Sequence, residues 1–250
     1  MKPDLAEQAK QLKLSYVSAN LKRHIDHARN ENESFETFLA TLFEHELALR
    51  KENSINKRIK QAKFPYHKHL DELKVEALPE EAQNAYGHIK SLTFIEENQN
   101  LVMAGNPGTG KTHLSIGLGI KAAQEGYKVY FAHIPSLIVE LKESQNERKL
   151  ARFKRKIEKY DLLILDELGY VSFDKAGAEL LFNMISERSE RASTIITTNL
   201  SFDRWDEIFH DPVITSAIVD RITHRSHILN MNGTSYRYRE QKSYIANRSY

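Results

Sequence analysis

A glycine-rich turn at residues 105–112 constrains the fold more than any other part of the chain, because it reads Gly-Asn-Pro-Gly-Thr-Gly-Lys-Thr. The apolar run at residues 101–105 predicts a strand before the turn, and residues 112–124 predict a helix that stops before Gly126. Glycines at this spacing allow a tight loop whose backbone N–H groups point inward at phosphate oxygens. The order strand, loop and helix therefore predicts a phosphate site at a helix N-terminus.

The same turn supplies side chains that suit a nucleoside triphosphate. Lys111 brings a positive charge to the β- and γ-phosphates, and the Thr112 hydroxyl is positioned to bind Mg²⁺. We therefore predict that the chain uses ATP and Mg²⁺. The residues predicted to bind ATP are Gly105, Asn106, Pro107, Gly108, Thr109, Gly110, Lys111, Thr112 and His113.

A second motif at residues 162–167 reads Leu-Leu-Ile-Leu-Asp-Glu, a buried-strand run that ends in two carboxylates. Asp166, at the strand tip, is placed to hold Mg²⁺, and Glu167 is placed to polarise a water for attack on the γ-phosphate. A kinase transfers phosphate to an acceptor and does not need a glutamate at this position. Asp166 and Glu167 together therefore favour an ATPase that couples hydrolysis to mechanical change.

Strands and helices alternate in the predicted pattern from about residue 80 onward. Strands are expected at residues 101–105, 128–133, 161–166 and 193–199, and helices at residues 112–124 and 177–191. This alternation predicts an α/β domain in which helices flank a parallel sheet, with ligands at the carboxyl ends of the strands. Asn199 ends the last of these strands, where it either holds the attacking water or only caps the strand.

Residues 4–63 show helical periodicity alone and predict a small all-α module of about three helices. Ser34 is expected to cap the second helix, and a third, basic helix is expected to end at Pro65. Residues 64–78 are the expected linker. The predicted domains are a helical N-terminal domain for DNA or partner binding and assembly at residues 1–70, and an ATPase domain at residues 71–250.

Positive charge is concentrated in two stretches of a chain whose net charge is only +2. Residues 50–63 hold six Lys or Arg and one Glu, and residues 142–159 hold eight Lys or Arg and three Glu. These stretches are either solvated helix faces or a contact with a polyanion. Because we see no side chains that would read bases, we expect duplex DNA to be bound with little sequence preference. The predicted DNA contacts are Lys57, Arg58, Lys60, Arg152, Lys154, Arg155 and Lys156.

The composition of the chain indicates the cellular compartment in which the protein is expected. The chain has no cysteine, which excludes disulfides and thiolate metal sites, and a reducing environment fits this absence. No apolar run approaches the length of a membrane span, and the charged N-terminus lacks the apolar segment of a signal peptide. We therefore expect a cytoplasmic protein without a membrane partner.

Four segments resemble the IstB-like proteins, which are the ATP-binding helpers of insertion-sequence transposition and relatives of the DnaC-type helicase loaders among AAA+ ATPases. The segments read GNPGTGKTHL, LLILDELGY, STIITTNLSFDRW and DRITHRSHILNMNGTSYR, and the likeness extends over about residues 5–240. The motif in the first segment is generic to proteins with this phosphate loop. The third and fourth segments are more specific to this family.

The resemblance implies roles for residues that the pattern alone leaves open. Lys111 and Thr112 match the Walker A pair of the family, Asp166 and Glu167 its Walker B pair, and Asn199 its sensor-1 residue. Arg221 matches an arginine finger that acts on the nucleotide of a neighbouring subunit, and Arg237 is similar to a sensor-2 arginine. From the sequence alone, Arg221 could equally form a surface ion pair with Asp220 or another acid. A finger acting in trans implies an ATP-dependent homo-oligomer.

Three functions remain open at the level of sequence. The leading hypothesis is an ATP-dependent regulator of transposition that assembles on target DNA, recruits a partner transposase and disassembles on hydrolysis. The second is a replicative helicase loader with the same ATPase core. The third is a nucleotide-gated scaffold that clamps DNA with little turnover.

Overall fold

The computed structural model describes residues 4–236 and 238, and it groups the chain into two compact units that divide between Lys57 and Arg58. The domain boundary expected after residue 70 stays a prediction. Arg237, the proposed sensor-2 arginine, lies outside the described residues. In the part of the chain that is described, no helix combines the length and the apolar character needed to cross a membrane.

The N-terminal helices are α1 (Leu5–Gln11), α2 (Ser15–Glu31) and α3 (Phe35–Gln61). The prediction of separate second and third helices is wrong, because α3 is one continuous helix of 27 residues. Its sequence contains neither glycine nor proline, and the Lys, Arg and Glu residues at its centre are strong helix formers. Ser34 lies at the start of this helix as expected, where its Oγ accepts the Thr37 N–H at 3.1 Å.

The first unit has a small apolar core. Ala9, Val17 and Leu42 are buried in it, with Leu14, Leu21 and Phe38 packed around them. Four other apolar residues of α3 are exposed: Phe35, Leu39, Phe43 and Leu47.

A buried glutamate from α3 caps the N-terminus of α2. Glu46 on α3 is 4% exposed, and its Oε2 accepts the backbone N–H groups of Tyr16 at 2.8 Å and Val17 at 3.3 Å. Arg50 donates to its other oxygen at 3.0 Å. Leu14, the residue at the cap position of α2, has no side chain that could do this. Burial raises the pKa of Glu46, but the hydrogen bonds from Arg50 and the two N–H groups outweigh it and leave the pKa below its ordinary value.

We expect Glu46→Gln to destabilise the first unit by about 1.5–3 kcal/mol at neutral pH, the range for hydrogen bonds to a charged group. Because the folded-state pKa is lowered, this contribution is present above the unfolded-state pKa and is lost as the pH falls through the folded-state value. The measurement is amide hydrogen exchange at Tyr16 and Val17 at several pH values. Glu44→Gln, an exposed position on the same helix, is the control, and equal exchange in both variants would contradict the expectation.

The second unit is built on a five-stranded, fully parallel sheet within the described residues. Its order is β2-β3-β4-β1-β5, where the strands are β1 (Asn100–Ala104), β2 (Val129–His133), β3 (Leu162–Leu168), β4 (Ser193–Thr198) and β5 (Ser226–Asn230). The flanking helices are α4 (Glu80–Lys90), α5 (Thr93–Glu96), α6 (Lys111–Glu125), α7 (Ile134–Asn146), α8 (Leu150–Ile157), α9 (Lys175–Arg188), α10 (Asp206–Phe209) and α11 (Pro212–Thr223). The predicted α/β class is confirmed.

Alternate residues of the strands enter two apolar cores, one on each face of the sheet. In β3, Leu163 and Leu165 pack with α7, α8, α9 and α11, while Leu162 and Ile164 pack with α4, α5 and α6. This two-sided burial explains why β3 reads as a continuous apolar run. The polar ends of β1, β3 and β4 lie together because these three strands are consecutive in the sheet.

We name residues 62–78 the strap; they include residues 64–78, which were expected to be a linker. They instead pack on α6 and contain two short 3₁₀ helices, Leu70–Glu72 and Val75–Ala77. A Cβ added at Gly117 of α6 would lie 2.5 Å from Leu70 Cδ2, so only glycine admits this contact. The strap starts at the edge of the sheet, where the Phe131 N–H donates to the Ala62 carbonyl at 2.8 Å. The linker prediction is therefore wrong, because the strap has its own buried contacts.

Candidate nucleotide site

The glycine-rich loop lies between the end of β1 and the start of α6. Gly108 and Gly110 have φ angles of +80° and +98°, a backbone region that side chains with a Cβ rarely adopt. Gly110 stands at the N-cap of α6, so the first free N–H groups of that helix face the loop. The Tyr236 N–H donates to the Gly108 carbonyl at 2.9 Å, which ties the loop to the chain after β5.

Lys111 is buried beneath this loop, with 7% of its surface exposed. Its Nζ donates to the carbonyl oxygens of Gly105 at 2.6 Å and Asn106 at 2.7 Å. Burial lowers the pKa of Lys111 to about 8, although the nearby Asp166 carboxylate acts in the opposite direction. A phosphate placed in the loop would restore the preference for the charged ammonium.

Asp166 lies across the site from Lys111 and is also buried, with 3% exposure. The Thr112 hydroxyl donates to its Oδ1 at 3.0 Å, and the Thr197 hydroxyl donates to the same oxygen at 2.6 Å. Burial raises the pKa of the Asp166 carboxyl, against the effect of these two hydrogen bonds. A buried carboxylate whose hydrogen-bond partners are neutral hydroxyls is an environment that suits a cation. The oxygen donors of Thr112 and Asp166 are the type that Mg²⁺ prefers, so these residues fit the ion.

Glu167 follows Asp166 with a φ angle of +65°, which is strained for a residue with a side chain. Its N–H donates to Thr197 Oγ1 at 2.9 Å, so Thr197 positions both acids. Its carboxylate pairs with Nε2 of His133, the last residue of the neighbouring strand β2. Sequence reasoning missed His133 and Thr197, because their roles come from the alignment of strand ends across the sheet.

A cavity of about 400 Å³ lies beside these groups, although Asp166 is not among the described residues that line it. Of the predicted residues, it is lined by Pro107, Gly108, Thr109, Gly110, Lys111, Thr112, His113, Glu167 and Asn199. Gly105 and Asn106 lie behind Lys111 and accept its hydrogen bonds. The lining also includes residues that sequence reasoning missed: Tyr66, Lys68, Glu72, Leu73, Lys74, Ala77 and Leu78 of the strap, with Tyr170, Thr197, Thr198 and Tyr236. No motif marks the strap residues.

Arg221 is not among the described residues that line this cavity. It lies on α11, where its guanidinium stands 5.0 Å from the centre of the Phe182 ring and donates to the Ala217 carbonyl at 3.2 Å. Within the part of the chain that the structure describes, Arg221 forms no ion pair with Asp220 or with another acid, the alternative that the sequence left open.

The predicted DNA-binding residues differ in their surroundings. Lys57, Lys60, Arg152, Arg155 and Lys156 are exposed. Arg58 is partly buried and donates to the Ala123 carbonyl at 2.7 Å. Lys154 pairs with Glu187 at 2.5 Å, which neutralises its charge locally.

A family model described as IstB-like ATP binding protein matches residues 7–244. The chain belongs to this family. It is 37% identical over 232 residues to the ATP-binding protein named for insertion sequence IS232 of Bacillus thuringiensis subsp. berliner, with 93% of each chain covered. It is 36% identical over 242 residues to the corresponding IS5376 protein of Geobacillus stearothermophilus, with 97% of this chain and 96% of the relative covered. The predicted family membership is therefore confirmed.

Solved structures share the fold of this IstB-like chain. The AMPPCP-bound DnaA from Aquifex aeolicus matches with a TM-score of 0.57 at 18% identity, covering 74% of this chain and 56% of that one. The DnaC helicase loader matches with a TM-score of 0.51 at 24% identity, covering 70% and 98%. These likenesses confirm the predicted fold of the core, a parallel sheet flanked by helices.

Proposed function

We propose that this IstB-like protein is an ATPase that regulates DNA transposition. It assembles on target duplex DNA with ATP, recruits and stimulates a partner transposase, and disassembles when ATP is hydrolysed. The observation that carries the proposal is that Lys111, Thr112 and Glu167 line one cavity, while Asp166 accepts a hydrogen bond from the Thr112 hydroxyl at 3.0 Å. The relatives named for insertion sequences support the link to transposition.

The chemistry follows from the side chains around the cavity. Lys111 and the loop N–H groups bind the phosphates of ATP, and Thr112 and Asp166 hold Mg²⁺. The ion, when bound, neutralises charge on the phosphate oxygens. Glu167 accepts the proton of the attacking water, with its carboxylate oriented by His133, and Asn199 helps to position that water.

Hydrolysis is the reaction that these acids support best. A scaffold that only binds nucleotide would need no strained glutamate paired with a histidine at the strand end. A helicase loader would use the same ATPase core, and the DnaC likeness concerns the fold alone. Identity to insertion-sequence proteins over more than nine-tenths of the chain favours transposition as the biological role.

We assign Arg221 to the nucleotide site of a neighbouring subunit, which it would complete. Its position on α11, away from the cavity of its own chain, supports a role as an arginine finger in an ATP-dependent homo-oligomer. Arg237 remains the proposed sensor-2 residue on the resemblance alone. Exposed cations on α3 and α8 support binding of the DNA backbone without sequence preference.

The test is the rate of ATP hydrolysis per subunit, measured over a wide dilution series with and without duplex DNA. We expect the rate to rise with protein concentration and to rise again on DNA, because each site needs a neighbour. A constant, substantial rate at all concentrations would contradict assembly, and no hydrolysis under any condition would favour the scaffold. Pull-downs with the transposase and with the replicative helicase separate the two biological roles.

A further inference from the structure

The two basic stretches of the sequence meet at one tyrosine. Lys63, from the first stretch, places its Nζ 5.2 Å from the centre of the Tyr130 ring and 3.3 Å from the Tyr130 hydroxyl. Lys156, from the second stretch, places its Nζ 5.6 Å from the centre of the same ring. We name Lys63, Tyr130 and Lys156 the lysine–tyrosine site. Residues almost a hundred positions apart in sequence are thus combined at the edge strand β2.

The backbone fixes both lysines at this edge. Lys63 directly follows Ala62, which is buried and whose carbonyl accepts the Phe131 N–H of β2. Lys156 lies on α8 next to the buried Ile157. The buried Arg188 donates to the Ile157 carbonyl at 3.0 Å, which anchors the end of that helix.

The charges of the two lysines are available for a ligand. Among the described residues, neither ammonium forms an ion pair with a carboxylate, whereas the neighbouring Lys149 and Lys154 pair with Glu147 and Glu187. Cation–π contact with Tyr130 orders the lysines without neutralising them. Two side chains ordered in advance lose less conformational entropy when they bind a ligand.

A repeating anion is the ligand that fits two adjacent ammonium groups. Lysine acts as a point charge toward phosphate, and the phosphates of one DNA strand follow one another at short intervals along the duplex. Tyr130 is 2% exposed, so its ring is not available for stacking on an unpaired base. The site therefore suits a duplex backbone better than single-stranded DNA.

We infer that the lysine–tyrosine site contacts the phosphate backbone of duplex DNA through Lys63 and Lys156. This inference rests on the proposed function and makes it more specific. It adds Lys63, which the sequence did not single out, to the predicted DNA contacts. It removes Lys154 from them, because Glu187 neutralises the charge of Lys154.

The test compares duplex binding by the full chain and by two double variants that remove equal charge, measured by fluorescence anisotropy at several salt concentrations with ATP present. Lys63→Gln with Lys156→Gln is expected to reduce the slope of log affinity against log salt by about 2, one for each phosphate contact. Binding at 0.1 M salt should weaken roughly 10- to 100-fold. Lys149→Gln with Lys154→Gln, the matched control, should keep the slope.

A third variant distinguishes a direct effect on DNA binding from a loss of folding, because it is expected to strengthen binding. Glu140 lies 3.5 Å from the Tyr130 hydroxyl, so Glu140→Gln removes a negative charge beside the site and should tighten binding. An unchanged salt slope in the Lys63 and Lys156 double variant, or weaker binding by Glu140→Gln, would overturn the inference while DNA binding itself stands. Absence of duplex binding by the unaltered protein, with binding of a labelled ATP analogue intact, would overturn the proposed DNA function and the inference together.

Discussion

Replacing Arg221 with alanine is expected to lower ATP hydrolysis by the assembled protein by about 10³–10⁵-fold, the range for removing an arginine finger. The guanidinium stabilises charge that develops on the phosphates, and alanine supplies nothing in its place. Binding of ATP by the isolated subunit should persist, because the cavity of the same chain is lined by other residues. The measurement is the hydrolysis rate at a protein concentration where the unaltered protein assembles.

Mixing variants decides whether Arg221 acts across subunits. An Arg221→Ala subunit has an intact cavity, and a Lys111→Ala subunit has an intact Arg221, so a mixture should recover activity that neither variant has alone. Arg204→Ala is the control, because Arg204 forms an exposed pair with Glu207. A mixture that stays inactive although both variants assemble would show that Arg221 does not serve a neighbouring site.

Glu167→Gln is expected to slow hydrolysis by about 10²–10⁴-fold, the usual contribution of a general base. The backbone should keep its position, because the Glu167 N–H still donates to Thr197. The affinity for ATP should change little, since the phosphate loop and Asp166 are untouched. The measurements are the single-turnover hydrolysis rate and the lifetime of assemblies on DNA, which should lengthen because ATP remains bound.

The control for this substitution is Glu207→Gln, which removes an exposed carboxylate that is not among the described residues lining the cavity and should leave the rate unchanged. A rate equal to that of the unaltered protein in Glu167→Gln would favour the scaffold hypothesis. Shorter-lived assemblies would contradict the proposed coupling of hydrolysis to disassembly.

The phosphate loop and the acidic strand end could be predicted because each is a run of consecutive residues with a fixed local geometry. Their meeting in one cavity also followed from the sequence, since neighbouring parallel strands bring their carboxyl ends together. The pairing of His133 with Glu167 could not be predicted, because it depends on which strand lies beside β3. The lysine–tyrosine site depends in the same way on β2 being an edge strand.

Other elements could not be predicted correctly because their local sequence pattern is weak. Strand β5 has only Leu229 buried, so neither an apolar run nor a clear alternation marks it. The strap has no periodicity, and its position depends on Gly117 and Gly119, whose missing side chains make room for it. The continuous α3 was divided wrongly because a polar run at residues 50–54 interrupts its apolar positions, while the helix itself continues through that run.

The strap has a practical consequence for any shortened version of this protein. A fragment that began at residue 71 would omit Tyr66 and Lys68 from the wall of the cavity and would leave the hollow beside Gly119 without Phe64. Water would then reach α6 beside Gly117 and Gly119, which lose their contacts with Leu70 and Phe64. A fragment intended to retain ATP should therefore start no later than Arg58, where the second unit begins.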